Sequence, residues 1–472
     1  MPLVAGVDSS TQSCKVVIRD LVTGELIRSG RAAHPNGTEV DPEAWFAALK
    51  SAIADAGGFD DVSAVSIGGQ QHGMVLLDQD GCVIRDALLW NDTRSSHTAT
   101  QIIDRFGAQA IVELTGSLPV ASFTSTKVFW VRQNEPENAS RVAAICLPHD
   151  WLSWRLAGYG PVGESSLGPQ LDKLTTDVSD ASGTGYFNPV TKQYLPEVFE
   201  FILGRVPTLP RIVEPGEWAF DPTGERTFGI ACGAGDNAAA ALGLGADVGD
   251  VVVSLGTSGT VFAVTGQQSA DSSGTIAGFA SANSAYLPLV CTLNAARIMD
   301  SFAALLEVSH DELSSLALQG SPGAGGVVVV PYFEGERTPN LPNAKGAVLG
   351  LTLANNTRAN VARAAIEGML CGLADGFQVL INQGVVANRI LLIGGAAASP
   401  AVRVIAGQVF GVEVVAPKPG EYVADGASRQ AAMALIGELP RWNLEILGVT
   451  VADPRPEILA QYRGHLSSLI QD

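Results

Sequence analysis

LVAGVDSSTQSCKVVIRD, from Leu3 to Asp20, is an apolar β-branched run, a turn of small hydroxyl residues and a second β-rich run. DVVVSLGTSGTVFAVTG, from Asp250 to Gly266, repeats the pattern. Each reads as a strand–turn–strand hairpin. Laying Asp8 over Ser254 brings Thr11 opposite Thr257. Two such hairpins, each opening about half of the chain, predict two related lobes, residues 1–245 and 246–472, with a cleft between them.

Outward from the hairpins, strands alternate with helices. DPEAWFAALKSAIADAG opens with Asp41 as N-cap and Pro42 at the first helical position. VSAVSIGG and GMVLLD read as buried strands around a Gly-Gln-Gln-His turn, and FGIAC leads through a glycine turn into an alanine-rich helix from about Asn237. RILLIGGAAASPAVRVIAGQVFG is a strand, a glycine turn and a helix. The class is α/β. Gly158 to Gly185, rich in Gly, Ser and Pro, predicts an irregular surface excursion.

Composition narrows the function. Of 472 residues, 46% are hydrophobic and 16% charged, which excludes extended disorder. Twenty-nine Lys and Arg face 48 Asp and Glu, a net charge of −19, so nucleic acid and anionic membrane are poor partners. A small anion held by backbone N–H groups remains compatible. Six scattered cysteines without a CxxC pair read as reduced thiols, and MPLVAGVDSS lacks an export signal, which predicts a cytoplasmic protein. Apolar runs such as Val327 to Val330 fall far short of the ~20 residues that span a bilayer.

Several short stretches could carry chemistry. Asp8 ends its strand at the mouth of Ser9, Ser10, Thr11, Gln12 and Ser13, where small residues admit a phosphate to backbone N–H groups. A carboxylate there needs Mg²⁺ between it and the phosphate; the alternative is an Asx turn closing the hairpin. Gly256, Thr257 and Ser258 offer the same cradle in the second hairpin. Asp236 follows Gly233-Ala-Gly at a helix start, as an N-cap or as a base kept ionised by the helix N-terminus. Gln71 and His72 follow a strand and suit the hydroxyls of a polyol, although a lone histidine is more often structural. Trp90 to Arg94, with Asp92 between, sets an aromatic face beside amide, acid and guanidinium groups, or is a plain turn. Gly394, Gly395, Ala396 and Ser399 lead a strand into a helix, where a nucleoside or phosphate can lie on bare backbone. They do not match GxGxxG, and neither a GxxxxGK[ST] loop nor a GxSxG elbow occurs. The six histidines are isolated in sequence and suggest no zinc site.

Together, GVDSSTQSCKVVI, GGQQHGMVLLD, LLWNDTR, GAGDNAAAALGLG, SLGTSGTVF, PYFEGERTPNLPNAKGAVLGL and LLIGGAAAS resemble the FGGY family of carbohydrate kinases, in family order over nearly the whole chain. The resemblance implies two actin-like, ribonuclease-H-type lobes closing over ATP and a sugar. It makes Asp236 the proton acceptor and Asp8 an acid near Mg²⁺ and the transferred phosphate. Gln71 and His72 fall where the family's sugar-binding pair lies, with Trp90, Asp92 and Asn237 as further candidate contacts. Ser10, Thr11, Gln12 and the Gly256-Thr257-Ser258 turn would hold ATP phosphates, and Gly394, Gly395, Ala396 and Ser399 would lie against adenosine.

The implied activity is ATP-dependent phosphorylation of a ketopentose, first of all D-xylulose at its terminal hydroxyl. Ribulose or another polyol is the close alternative, and an ATP-binding switch of the actin or chaperone type is the alternative from another class. ATP, Mg²⁺ and a sugar are the expected partners, without nucleic acid or membrane, and a homodimer stays open. Four positions in three motifs depart from the pattern: Gln71 stands for Met, Ser9-Ser10 for Leu-Gly, and Ala396 for a third glycine. GPVGESSLGPQLDKLTTDVSDASGT is longer than usual before its SDASGT end.

Overall fold

Both hairpins form in the computed structural model, which describes residues 2–223 and 226–470. The chain divides into two compact units. One takes the chain up to Gly245 together with Gly266–Leu287 and Glu421–Asn443; the other takes Ala246–Thr265, Pro288–Gly420 and the chain from Leu444. Two segments from beyond residue 245 thus belong to the first unit.

In the first unit, Leu3–Ser9 lies between its hairpin partner Ser13–Asp20 and the parallel strand Val62–Gly69. Leu26–Ala33 extends one side of the sheet; Gly229–Ala231 and Trp218–Phe220 extend the other. The register matters for function. Ser9 pairs with Gly69, and Gly69 with Gly235, so Asp8, Gln70 and Asp236 come to the same end of three neighbouring strands.

Alternation along the strands sends side chains to two faces. Val7, Val16, Ile18 and Ile67 pack under Trp45, Leu49 and Trp151 from the helices Pro42–Asp55 and Pro148–Leu156. Asp41 caps the former, accepting from Glu43 N at 3.0 Å. Val4 and Ala64 face Ala431, Ala432 and Trp442. The helix Tyr422–Ile436 crosses Asp236–Gly243 so closely that a Cβ on Gly426 would lie 1.8 Å from Ala239 O. That approach ties Glu421–Asn443 to the first unit.

The expected excursion from Gly158 to Gly185 is only half a surface feature. Its early turns are exposed, but Leu174 to Tyr186 is buried throughout. Thr175–Asp177 pairs in parallel with Arg211–Val213, and Asp177 caps the short helix Val178–Ala181, so the buried backbone is hydrogen-bonded.

In the second unit, Asp250–Leu255 is antiparallel to Gly259–Ala263 and parallel to Arg389–Ile393, which pairs with Glu413–Pro417. Ile446–Thr450 closes that edge antiparallel. Arg358–Asn382 spans 25 residues and is long and apolar enough to cross a membrane by length and composition alone. Most of its apolar stretch is buried inside the unit, and it carries the buried pair Arg363–Glu367 at 2.7 Å.

Candidate active site

Asp8 is almost fully buried at the end of its strand. Ser10 Oγ donates to its Oδ1, and Lys15 Nζ lies 3.7 Å from Oδ2. Burial raises its pKa, against the hydrogen bond from Ser10 and the charge of Lys15. Lys15 also pairs with Glu421 at 2.5 Å. In the following turn, Thr11 Oγ1 accepts from Trp90 Nε1 at 2.9 Å, and Gln12 is exposed. Trp90 therefore stands over the hairpin turn, 44% exposed.

Asp236 is the first residue of Asp236–Gly243, and Gly235 is the N-cap, so the carboxylate does not cap the helix. Asp236 Oδ1 accepts from Asn237 N at 2.7 Å and Asn237 Nδ2 at 2.9 Å. The helix N-terminus was expected to hold this group ionised. Burial instead pushes its pKa up to about 7, opposed by the Asn237 N–H and aided by the charge of Asp8. A carboxylate poised near neutrality suits a general base.

Asn237 Nδ2 also reaches Gln71 Oε1 at 3.4 Å, joining residues 166 positions apart in the sequence. Gln71 Nε2 faces Ser179 O at 3.5 Å. His72 adopts φ 69°, in the left-handed region. Its Nδ1 donates to Gly183 O at 2.6 Å, and its ring stacks on Phe123 with centroids 4.9 Å apart. Asp92 is buried and fully engaged: Oδ2 accepts from Thr38 Oγ1 at 2.8 Å and Oδ1 from Arg94 Nε at 2.9 Å. Burial raises its pKa, but the Arg94 and Thr38 bonds outweigh it and hold Asp92 below the usual carboxylate range.

The second unit presents two turns side by side. Gly256 leads into exposed Thr257 and Ser258, and Gly256 O accepts from Ala296 N at 2.9 Å. Gly394, at φ 93°, presses on Leu255, where a Cβ would lie 2.4 Å from the carbonyl oxygen. Gly395 is exposed and Ala396 buried. Ser399 Oγ caps Pro400–Phe410, accepting from Val402 N at 3.4 Å, and donates to Ser314 Oγ at 3.0 Å. Its hydroxyl is thereby committed within the protein. Lys345 lines a 440 Å³ cavity with Tyr332 and Leu466.

Sequence reasoning missed three polar elements. Glu336 is buried and accepts from Leu293 N at 2.6 Å and Asn294 Nδ2 at 3.0 Å, organising the GERTP loop. Lys127 is buried beneath His72. His149, isolated from other histidines in sequence, stands among Asp150, Asp177 and Asp180, a cluster that histidine spacing does not announce. The partners of Lys127 and His149 include residues far away along the chain, and no local pattern announces them.

The structure thus has two α/β units, with an acid at a strand end and an amide-linked Asp–Asn–Gln group in the first and a pair of glycine turns in the second. The N-terminal domain of the FGGY family of carbohydrate kinases matches residues 3–243, and its C-terminal domain matches residues 251–435. The chain belongs to this family and is a carbohydrate kinase of actin-like, two-unit fold. It is similar to the xylulose kinase of Streptomyces rubiginosus, 42% identical over 97% of this chain and 94% of that protein. The xylulose kinase of Escherichia coli is 32% identical over 93% of each. The crystal structure of xylulose kinase from Bifidobacterium adolescentis superimposes with a TM-score of 0.92, at 47% identity over 98% of this chain and 99% of that one. Family membership decides against the ATP-driven switch.

Proposed function

We propose that the protein transfers the γ-phosphoryl group of ATP to the terminal hydroxyl of D-xylulose, giving ADP and D-xylulose 5-phosphate. Its similarity to named xylulose kinases supports the substrate. The observation that carries the reading is the Asn237 amide, which ties Asp236 to Gln71 in one cluster. A proton acceptor and a hydroxyl-binding amide side by side are what phosphoryl transfer to a sugar requires.

Asp236 takes the hydroxyl proton as the sugar oxygen bonds to phosphorus and the bond from phosphorus to the ADP oxygen breaks. Gln71, His72 and Asn237 hold the sugar; the Gly183 carbonyl fixes the His72 ring by accepting from Nδ1. Trp90, over the Thr11 turn, and Asp92, held by Thr38 and Arg94, are the further sugar contacts of this reading. Gln71 gives that edge a polar amide where the xylulose pattern carries Met. Ser10, Thr11 and Gln12, with Gly256, Thr257 and Ser258, supply hydroxyl and backbone donors for ATP phosphates. Gly394, Gly395 and Ala396 offer bare backbone to the adenosine.

Mg²⁺ prefers oxygen donors. Asp8 is a buried carboxylate with the Ser10 hydroxyl beside it, an all-oxygen donor pair that fits the ion. Asp8 is the residue that would hold the ion, which when bound neutralises phosphate charge. As a consumer of ATP, the enzyme is placed in the cytoplasm.

ADP release with MgATP is the test, run with D-xylulose, D-ribulose, L-ribulose, glycerol and gluconate, and with Asp236→Ala as control. Turnover on D-xylulose, lost in the variant, is expected. Preference for another sugar would move the substrate; no sugar-dependent ADP at all would overturn the kinase reading.

A further inference from the structure

His149 lies on Pro148–Leu156, wholly buried, and both ring nitrogens face carboxylates. Nδ1 is 2.7 Å from Asp180 Oδ2; Nε2 is 3.3 Å from Asp150 Oδ1 and 3.9 Å from Asp177 Oδ1. Nδ1 makes the ring's hydrogen bond, to Asp180, whereas Nε2 and Asp150 Oδ1 are buried without a hydrogen-bond partner and meet by charge alone. Asp177 accepts from Ser179 N and Asp180 N, and Asp150 accepts from Leu147 N. Asp180 is more dependent. Its Oδ2 is held by His149, and its Oδ1 has no hydrogen-bond partner. A buried carboxylate so placed relies on the charge of its partner. Burial works against charge on His149, but Asp150 and Asp180 outweigh it and push the pKa up to about 10.

His149 sits at the root of two turns. A Cβ on Gly69 would fall 2.8 Å from His149 Cβ, and one on Gly233 would fall 2.4 Å from its Cδ2. Gly69 runs directly into Gln70, Gln71 and His72, and Gly233 into Ala234, Gly235 and Asp236. Ser179, the neighbour of Asp180, completes the link. Its Oγ accepts from Gly235 N at 3.1 Å and its carbonyl faces Gln71 Nε2 at 3.5 Å.

We propose that His149 is a positioning residue for phosphoryl transfer: packed beneath both turns, with its ring under Gly233, it anchors Asp180 and, through Ser179, sets Gln71 and Asp236 in place. It acts through these residues and touches neither substrate. The inference rests on the kinase reading, in which Gln71 and Asp236 meet the sugar. A metal ion is the competing occupant of the same carboxylates. The geometry favours the proton, because His149 packs against Gly69 through its Cβ and backbone and against Gly233 through its ring, and the cavity beside Asp150 holds only about 10 Å³, room for one water.

The test uses the full-length protein with MgATP and D-xylulose. His149→Gln is expected to lower kcat about tenfold or more and to raise the sugar KM, with KM for ATP within about twofold. Adding Asp180→Asn removes the uncompensated carboxylate and is expected to recover kcat by at least about threefold, a response that a space-filling ring would not give. Asp180→Asn alone is near-isosteric and is expected to lower kcat too, which keeps the proposal testable if His149→Gln does not fold. Unchanged kcat in either single variant, no recovery in the double variant, or stoichiometric metal by elemental analysis that persists in Asp8→Asn and is lost in Asp180→Asn would overturn it. Sugar-dependent ADP release by the unsubstituted protein separates those failures from failure of the kinase reading, which would remove the inference with it.

Discussion

The Lys127 ammonium group donates to the backbone carbonyl of His72 across 2.9 Å, and to that of Ser122 at 2.7 Å. Thr124 Oγ1 adds a second donor to the His72 carbonyl at 3.2 Å. A side chain in the left-handed region costs roughly 1–2 kcal/mol, so His72 needs such restraint.

Lys127→Met is therefore expected to raise KM for the sugar about tenfold while leaving KM for ATP unchanged. Burial also pulls the Lys127 pKa down to about 7, against the charge of Asp92. Between that value and the unfolded value near 10.5, the native protein binds fewer protons than the unfolded chain. Stability relative to Lys127→Met should rise with pH over this window, by at most about 1.4 kcal/mol per unit. Denaturant melts at pH 7 and pH 9.5 measure it; a difference that ignores pH would contradict the assignment.

Asp236, with its pKa pushed up to about 7, should set the acid limb of kcat/KM, activity falling about tenfold per unit below that pH. Asn237→Ala removes a hydrogen bond that favours the charged carboxylate, so the limb should move to higher pH. Asp236→Asn should lose activity by about 10²-fold or more. It should also melt higher than the unsubstituted enzyme at pH 8. A carboxyl whose pKa rises on folding binds more protons in the native state, so it lowers stability as pH climbs towards that value.

Gly394→Ala places a Cβ against Leu255 O at a φ of 93°. The turn must shift or strain, at a cost of about 1–3 kcal/mol. KM for ATP should rise severalfold with little change in KM for the sugar. The reverse split would detach Gly394 from the nucleotide.

Chelation of Mg²⁺ should abolish turnover, and readdition should restore it. Asp8→Asn should shift the Mg²⁺ titration midpoint upward by about tenfold or more and lower kcat. An unshifted midpoint would take the metal away from Asp8.

Much of this was readable locally. The hairpins at Asp8 and Thr257 announce themselves by β-branched runs around small turns, and Asp41 marks its helix start, because strand, turn and cap preferences act within a few residues. Asp236 illustrates the limit. Its place at a helix start is a local property, but whether it is charged depends on burial and on Asp8, more than 200 residues away.

The sequence alone thus determined the α/β class, the two hairpins and, through seven ordered motifs, the kinase family. The tertiary structure decided the rest. It aligned Ser9, Gly69 and Gly235, joined Gln71 to Asn237, committed Ser399 to a helix cap, and returned Tyr422–Ile436 to the first unit. It also buried the segment after Leu174 and gathered three carboxylates around His149. Backbone propensity is a short-range property, whereas pKa, strand register and the company a buried side chain keep are set by residues that only folding brings together.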